Sequence, residues 1–296
     1  MVTNFLNEVS TGRGASSISI RILERLWTWV VQPILERLHL IKPASESQTL
    51  PHITWCPTGP LLQLPLHAAG IYDASKQHRP RVYDYVVSSY TPSLSALQQR
   101  GRQAPSTLSS QPSLLMVAQP ATPNFSPLPG TREECARIRA VLSGATCTLI
   151  EHEQAVVADT HAIIGQYPWV HLACHGKQDT TDPTQSAFAL YDGPLTLSAL
   201  MNTVADNAEL AFLSACQTAV GDEKVPEESA HLAAGDQDAP IVAEAYYKKS
   251  VELRSSGMIK AGTGAAYALH EAVKVLREGV GEQNIIKWAP FVHFGV

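Results

Sequence analysis

The chain has 296 residues, of which 45% are hydrophobic and 17% charged, so it can bury a sizeable core and is not a disordered chain. The formal net charge of -5, without a basic cluster, disfavours nucleic-acid binding through a phosphate-neutralising patch. The five cysteines are widely spaced and form no Cys-x-x-Cys pair, which disfavours a disulfide scaffold or a zinc ribbon and fits a reducing compartment.

No part of the sequence has the pattern of a membrane span or a secretion signal. No apolar run approaches the roughly 20 residues that a membrane-spanning helix needs. The N-terminus lacks the basic and then apolar order of a signal peptide. We therefore expect a cytoplasmic protein with no membrane span.

The predicted elements begin after a loose, polar lead at residues 1 to about 17, and residues 18–296 are expected to form one domain. Apolar residues recur at helical spacing from Ser19 to Leu40, and Pro33 should kink or divide this helix. Short apolar runs predict strands at Tyr83–Tyr90, Leu114–Ala118, Thr146–Ile150 and Phe291–Val296. Helices are predicted at Thr131–Leu142, Ala155–Gln166, Pro240–Arg254 and Ala265–Arg277. Strand and helix in alternation indicate an α/β fold with a mostly parallel central sheet covered on both faces.

Two local patterns carry further expectations. Thr131 and Glu134 have the spacing of a capping box at the start of a helix. Asp192-Gly193 lies between two apolar runs and predicts a hairpin beside the site. The loop acids Asp192, Asp222 and Glu223 are each a candidate for substrate contact or a solvated charge.

One strand is predicted to be missing after Gly235. An alternating α/β chain needs a strand after each covering helix to return to the sheet. Between the helix ending near Gly235 and the helix starting near Pro240 there is only Asp236-Gln237-Asp238-Ala239, a charged turn that is too short for a strand.

Two apolar stretches, Trp169–Gly176 and Glu209–Gly221, carry the candidate chemistry. Each has the pattern of a strand buried on both faces, and the two close on His175 and Cys216. Because sites in such sheets lie at the carboxyl ends of the strands, we expect these side chains at one sheet edge. Cys216 is the candidate nucleophile and His175 its acid/base, with the backbone amides of Gly176 and Cys216 as the oxyanion hole.

Other interpretations of these residues stay open. Cys216 can be a buried structural cysteine, and His175 a histidine whose hydrogen bonds are satisfied at a strand end. His171 and His175 have the spacing of a zinc motif, but that motif needs a helix and a Glu, whereas this stretch is a predicted strand. We therefore expect no metal and no cofactor.

The motifs His-Leu-Ala-Cys-His-Gly (171–176) and Leu-Ser-Ala-Cys-Gln-Thr (213–218) resemble the CHAT domain, a family similar to caspases and separase. Further stretches with this resemblance follow in the same order at residues 29–33, 88–92, 127–131, 186–188, 228–235 and 288–293. The resemblance implies a caspase-like three-layer α/β/α sandwich and a Cys–His peptidase dyad, which falls on His175 and Cys216. This chain departs from the family after Gly235, where members carry further helix and a strand.

These expectations support two main hypotheses of different classes. The first is a cysteine endopeptidase domain that cleaves protein or peptide substrates and takes a regulatory protein partner. The second is a catalytically inactive, peptidase-like module that binds proteins, which the missing strand favours. A thiol hydrolase or transferase acting on small molecules is a third class, supported only by the shared Cys–His chemistry.

Overall fold

The computed structural model of the chain describes residues 15–42, 49–100, 113–179, 181–201, 203, 208–214, 216–217, 236–256 and 263–295. The chain divides into two compact units, one within residues 1–104 and 262–296 and the other within residues 105–261. The expectation of a single domain over residues 18–296 stays a prediction. No helix among the described residues is both long enough and apolar enough to cross a bilayer.

The described residues contain helices of up to 18 residues and short strands. The α-helices are α1 (Ala15–Leu26), α2 (Gln32–Arg37), α3 (Leu94–Arg100), α4 (Gly130–Val141), α5 (Val157–Ile164), α6 (Leu197–Met201), α7 (Ala239–Ser256), α8 (Thr263–Val280) and α9 (Ile285–Trp288). The strands are β1 (His52–Trp55), β2 (Val87–Tyr90), β3 (Leu114–Ala118), β4 (Cys147–Glu151), β5 (Trp169–Ala173), β6 (His175–Lys177), β7 (Ala187–Ala189), β8 (Pro194–Thr196), β9 (Leu210–Leu213) and β10 (Cys216–Gln217).

The N-terminal helix passes through a proline without a sharp break. Helix α1 begins at Ala15, within the predicted loose lead, whose residues 1–14 lie outside the described part of the chain. A π-helical turn at Trp27–Val31 joins α1 to α2, and the amide of Gln32 donates to the carbonyl of Trp27. Pro33 has no N–H to donate, and the widened turn before it is the interruption that the sequence predicts.

The first unit contains a small parallel sheet to which the C-terminal tail adds. Strands β1 and β2 are parallel. The amide of Tyr90 donates to the carbonyl of His293 at 2.8 Å, and the amide of Gly295 donates to the carbonyl of Tyr90 at 2.9 Å. In its described part, the predicted final strand Phe291–Val296 is reduced to a single parallel bridge between Phe294 and Tyr90. Beside it, the Ser89 hydroxyl oxygen lies 2.6 Å from His52 Nε2 and 2.7 Å from His293 Nδ1.

Two histidines of this unit are held in their neutral form by burial. His67 Nε2 donates to the carbonyl of Ala289 at 2.9 Å, and the Tyr90 hydroxyl lies 2.8 Å from His67 Nδ1. Burial lowers the pKa of His67 to about 4. Burial, followed by the nearby Arg277 and Lys274, likewise lowers the pKa of His270 to about 4.

The second unit contains two four-stranded sheets. The order of the first is β4-β3-β5-β9, and all its described pairs are parallel. The order of the second is β10-β6-β7-β8, in which β10 and β6 are parallel and the hairpin β7–β8 is antiparallel. The predicted strand at Leu114–Ala118 is confirmed, as are the mixed α/β class and the mostly parallel sheet.

Helices lie on both faces of the first sheet. On one face, α4 and α7 pack against each other, and the rings of Tyr246 and Tyr247 in α7 contact Phe212 of β9. On the other face, β3 and β5 form a buried apolar cluster with Ile164 of α5, and Leu200 of α6 packs against it. Layers of this kind bury a sheet on both sides.

A turn within the second unit, just before α7, is tied to α4. Residues 236–238 form a turn and α7 begins at Ala239, so no strand lies in this described stretch. The Asp236 carboxylate accepts the N–H of Gly130, the first residue of α4, at 2.8 Å. Among the described strands, β9 pairs only with β5, and Leu213 on β9 is 53% exposed.

The predicted capping box at the start of α4 is wrong. The side chain that accepts an N–H at the start of this helix is that of Asp236, whereas the Thr131 hydroxyl donates to the carbonyl of Leu128 at 2.9 Å. Glu134 is 1% exposed and faces the interior. Its carboxylate contacts His171 and Ser214, so it does not accept the backbone N–H that a capping box requires.

The two low histidine pKa values predict a loss of stability in acid. Between pH 6.5 and 4 the unfolded chain binds protons that the folded chain does not, so the free energy of unfolding falls as the pH falls through this range. At pH 5 the loss amounts to roughly 2 kcal/mol for each histidine. Urea unfolding at pH 7 and pH 5 measures it, and His270→Gln should remove its share. The same change at the exposed His78 is the control; an equal effect from both variants would contradict the assignment.

The junction at Asp236 predicts a steric requirement for glycine at position 130. A Cβ there would overlap the main-chain oxygen of Asp236, so Gly130→Ala should lower the free energy of unfolding by about 1–3 kcal/mol. Asp236→Ala should cost about 1 kcal/mol through the lost cap. Gly193→Ala is the control, because its Cβ would meet only Val157 Cγ2 at 3.9 Å. Denaturant unfolding measures the free energy of unfolding of the three variants. If Gly130→Ala were as stable as the wild type, the close approach of the Asp236 main-chain oxygen to Gly130 would be refuted.

Candidate functional site

Two neighbouring segments of the chain each pass from the first sheet of the second unit to its second sheet. β5 ends at Ala173 and β6 begins at His175, while β9 ends at Leu213 and β10 begins at Cys216. The prediction that His175 and Cys216 end the two buried strands is therefore wrong in detail: each begins a short strand of the second sheet. The register Leu172↔Leu213 continues without a slip as His175↔Cys216.

The two predicted dyad residues are backbone neighbours. Cys216 is the register partner of His175, and Gln217 is the partner of Gly176, on adjacent parallel strands. Neighbouring strands lie about 5 Å apart, so the two backbones are within reach of a direct side-chain interaction. The side chain of Cys216 lies outside the described part of the structure, as does the segment 218–235 with the loop acids Asp222 and Glu223.

The His175 ring is buried and held by a loop that follows β3. His175 Nε2 lies 2.7 Å from the carbonyl oxygen of Ser126, and the Phe125 ring stacks on the imidazole with centroids 5.0 Å apart at 23°. A carbonyl oxygen only accepts, so Nε2 carries the hydrogen. In the neutral ring the lone pair is then on Nδ1, which is the nitrogen that can take a proton from a thiol.

The loop that holds this ring depends on a left-handed residue. Asn124 has φ 66°, a conformation that Asn adopts more readily than most residues. The Phe125 amide donates to the carbonyl of Thr122 at 3.1 Å, and the Leu128 amide donates to that of Pro120 at 2.8 Å. Sequence reasoning missed this loop, although Asn-Phe-Ser-Pro after β3 is a turn signal at the sheet edge where the site was expected.

The hairpin β7–β8 borders β6, and its acid caps a helix. Gly176 of β6 is the register partner of Phe188 of β7. Asp192 in the hairpin turn accepts the N–H of Val157 at 2.8 Å, at the start of α5. The expectation of a solvated charge is confirmed, because Asp192 is exposed, and the hydrogen bond adds a structural role at a helix N-terminus. Contact of Asp192 with a substrate stays a prediction.

A second histidine lies beneath the site in a buried polar cluster. His171 is 0% exposed, its Nε2 lies 3.1 Å from Glu134 Oε1, and its Nδ1 lies 3.2 Å from the Tyr247 hydroxyl. The Ser214 hydroxyl donates to Glu134 Oε2 at 3.1 Å. The stretch is a strand, and among the described residues no group of three or more metal-binding side chains is close enough to hold an ion.

The other described cysteines of this unit are poor nucleophiles. Burial raises the pKa of Cys174 to about 12 and also raises the pKa of Cys135 and of Cys147. A thiol reacts as its thiolate, so a raised pKa makes these groups unreactive at neutral pH. Cys174 lies in the apolar cluster of β3 and β5, where a thiol acts as a small apolar side chain.

The contact with Ser126 predicts the tautomer of His175. In the neutral ring the hydrogen should be on Nε2, because the carbonyl of Ser126 can only accept. Long-range proton–nitrogen NMR on labelled protein distinguishes the two tautomers. Phe125→Ala is the control, since it removes the stacked ring but leaves the carbonyl; the same tautomer is expected. A hydrogen on Nδ1 would contradict this geometry.

The comparison with protein families agrees with this architecture. The CHAT domain model matches residues 21–236, which is most of the chain. The match does not extend to Trp288–His293, a stretch that also resembles the family in the sequence analysis. No match was found among curated proteins. On the family match, the chain belongs to the CHAT domain family.

Proposed function

We propose that this chain is a cysteine endopeptidase domain with Cys216 as nucleophile and His175 as general acid/base. The observation that supports it is the pairing of Cys216 with His175 on adjacent parallel strands. The contact of His175 Nε2 with the Ser126 carbonyl adds to it, because it leaves Nδ1 as the basic nitrogen. Neither Cys135 nor Cys174 competes for the role, since both are buried.

The chemistry would proceed through a thioester. His175 Nδ1 takes the thiol proton, and the Cys216 thiolate attacks the peptide carbonyl carbon. The backbone amides of Gly176 and Cys216 are proposed to stabilise the oxyanion. The imidazolium gives its proton to the leaving amine as the peptide C–N bond breaks. Water, deprotonated by the same imidazole, then hydrolyses the thioester and restores the thiol.

The finer fold assignment is part of the same proposal. Helices on both faces of a mostly parallel sheet support a caspase-like three-layer sandwich. A protein or peptide substrate, a regulatory protein partner and a cytoplasmic location follow from the proposed activity and the family resemblance, and they stay predictions.

A catalytically inactive interaction module is the second candidate. Two observations favour it: residues 236–238 form a turn where the resemblance led us to expect a strand, and β9 pairs only with β5 among the described strands. An uncovered strand can take a partner strand by main-chain hydrogen bonding. In this case His175 and Cys216 would have no catalytic role, and binding of the protein partner would not depend on the Cys216 thiol.

Cleavage of a peptide library separates the two candidates. The wild-type chain should generate new N-termini, detected by mass spectrometry, and Cys216→Ala or His175→Gln should lower the rate at least about 100-fold. Cys147→Ala is the matched control, because this thiol lies at the opposite end of the sheet strands and should be dispensable.

Two outcomes would overturn the peptidase. One is cleavage by Cys216→Ala at the wild-type rate. The other is a wild-type chain that cleaves nothing, and whose Cys216 alkylates like an ordinary thiol whether or not His175 is replaced. Partner capture that survives Cys216→Ala would then support the interaction module.

A further inference from the structure

We infer that Glu134 is a positioning residue for the proposed dyad, acting through His171 and Ser214. The inference rests on the proposed function of Cys216 and His175. Glu134 belongs to helix α4, whereas His171 and Ser214 precede the two reacting residues on their own chain segments. We refer to Glu134, His171, Ser214 and Tyr247 as the Glu134 cluster.

The burial of Glu134 requires an explanation. Its side chain is 1% exposed and that of its neighbour His171 is 0% exposed. A carboxylate removed from water is costly unless it is paired and hydrogen-bonded, so a fold seldom retains one without a use. Sequence spacing offered a cap at the start of α4, and the structure excludes it. The contacts of the carboxylate show what it does hold.

The two oxygens of Glu134 contact the two different segments that carry the proposed dyad. Oε1 lies 3.1 Å from Nε2 of His171 in β5, four residues before His175. Oε2 accepts the hydroxyl hydrogen of Ser214 at 3.1 Å, two residues before Cys216. One planar group therefore spans both segments just before they leave the first sheet.

Each contacted residue is fixed by further bonds. The Ser214 amide donates to the carbonyl of Leu172 at 2.9 Å, so this residue is held by its backbone and its side chain. The His171 ring stacks on Phe212 with centroids 5.0 Å apart at 17°, and Tyr247 contacts its other nitrogen. The cluster thus clamps the two segments in one register, and the register Cys216↔His175 follows from it.

Glu134 itself is not a catalytic residue. Four residues of extended chain separate His171 from His175 by roughly 13 Å, and two separate Ser214 from Cys216 by roughly 7 Å. The contacts of the acid are therefore with residues that precede the dyad, and its effect is transmitted by the two segments. Alignment errors of about 1 Å between reacting groups cost reaction rate. A substitution in the Glu134 cluster should therefore change the reactivity of the Cys216 thiol.

Ser214→Ala in the full chain is the primary test, because it removes the hydrogen bond to Glu134 and leaves the other carboxylate oxygen beside Nε2 of His171. Alkylation of Cys216 by iodoacetamide is followed between pH 5 and 9 by mass spectrometry of the peptide that contains it. We expect an alkylation rate about tenfold lower at pH 7 and a midpoint about one pH unit higher, since one pKa unit is a factor of ten. Ser214→Thr, which keeps the hydroxyl, should restore the wild-type profile.

Glu134→Gln and a matched control complete the design. Glu134→Gln should shift the profile in the same direction, and the double variant should add little, because the two residues act through one contact. Thr160→Val is the control: Thr160 is buried in α5 of the same unit, and its hydroxyl has no hydrogen-bond partner among the described residues. Thermal unfolding of every variant separates loss of fold from loss of alignment. If Glu134→Gln does not fold, the Ser214 variants decide the outcome.

The outcomes distinguish this inference from the proposed function. A wild-type alkylation profile in Ser214→Ala overturns the role of Glu134 and leaves the dyad untouched. An equal shift in Thr160→Val also overturns it, because the effect would then be general loosening of the core. An ordinary thiol profile in the wild type, unchanged by His175→Gln, overturns the dyad and the inference with it.

Discussion

A single register, kept across two sheets, is the constraint on which the site depends. In the first sheet β5 lies between β3 and β9 and is fixed by both neighbours. The same pairing continues into the second sheet, where β6 meets β10. A slip by one residue would oppose His175 to Gln217 and turn each affected side chain to the other face of the sheet. The pairing of His175 and Cys216 on β6 and β10 therefore depends on the register of the buried strands β5 and β9.

The alternating elements of the second unit could be predicted from the sequence because their signals are local. Leu114–Ala118 is an unbroken apolar run, fully buried in the sheet, and the helix expected at Pro240–Arg254 is present as α7. His175 and Cys216 were expected together because both follow apolar runs. Their exact placement, at the start of new strands, could not be foreseen because the change of sheet has no signature in residue type.

The contacts around the site could not be predicted, since they join segments far apart in the chain. Ser126 meets His175 across 49 positions, and only the left-handed turn at Asn124 hints that this loop folds back. Glu134 shows the opposite error. A local spacing rule assigned it to a helix cap, whereas the side chain is buried with its Oε1 3.1 Å from Nε2 of His171. A spacing rule considers only neighbours in the sequence, so it cannot predict a contact with a residue far along the chain.

The hydroxyl of Ser89 in the first unit has a consequence for the C-terminal tail. It contacts one nitrogen of His52 and one of His293, yet it carries a single hydrogen. With both rings neutral, Ser89 can donate to only one of them, and the other must donate its own N–H to the hydroxyl oxygen. The two imidazoles are therefore never equivalent. If the two hydrogen bonds of Ser89 reverse direction, both rings must change tautomer together. The tautomer of His52 in β1 therefore determines the tautomer of His293 in the C-terminal tail.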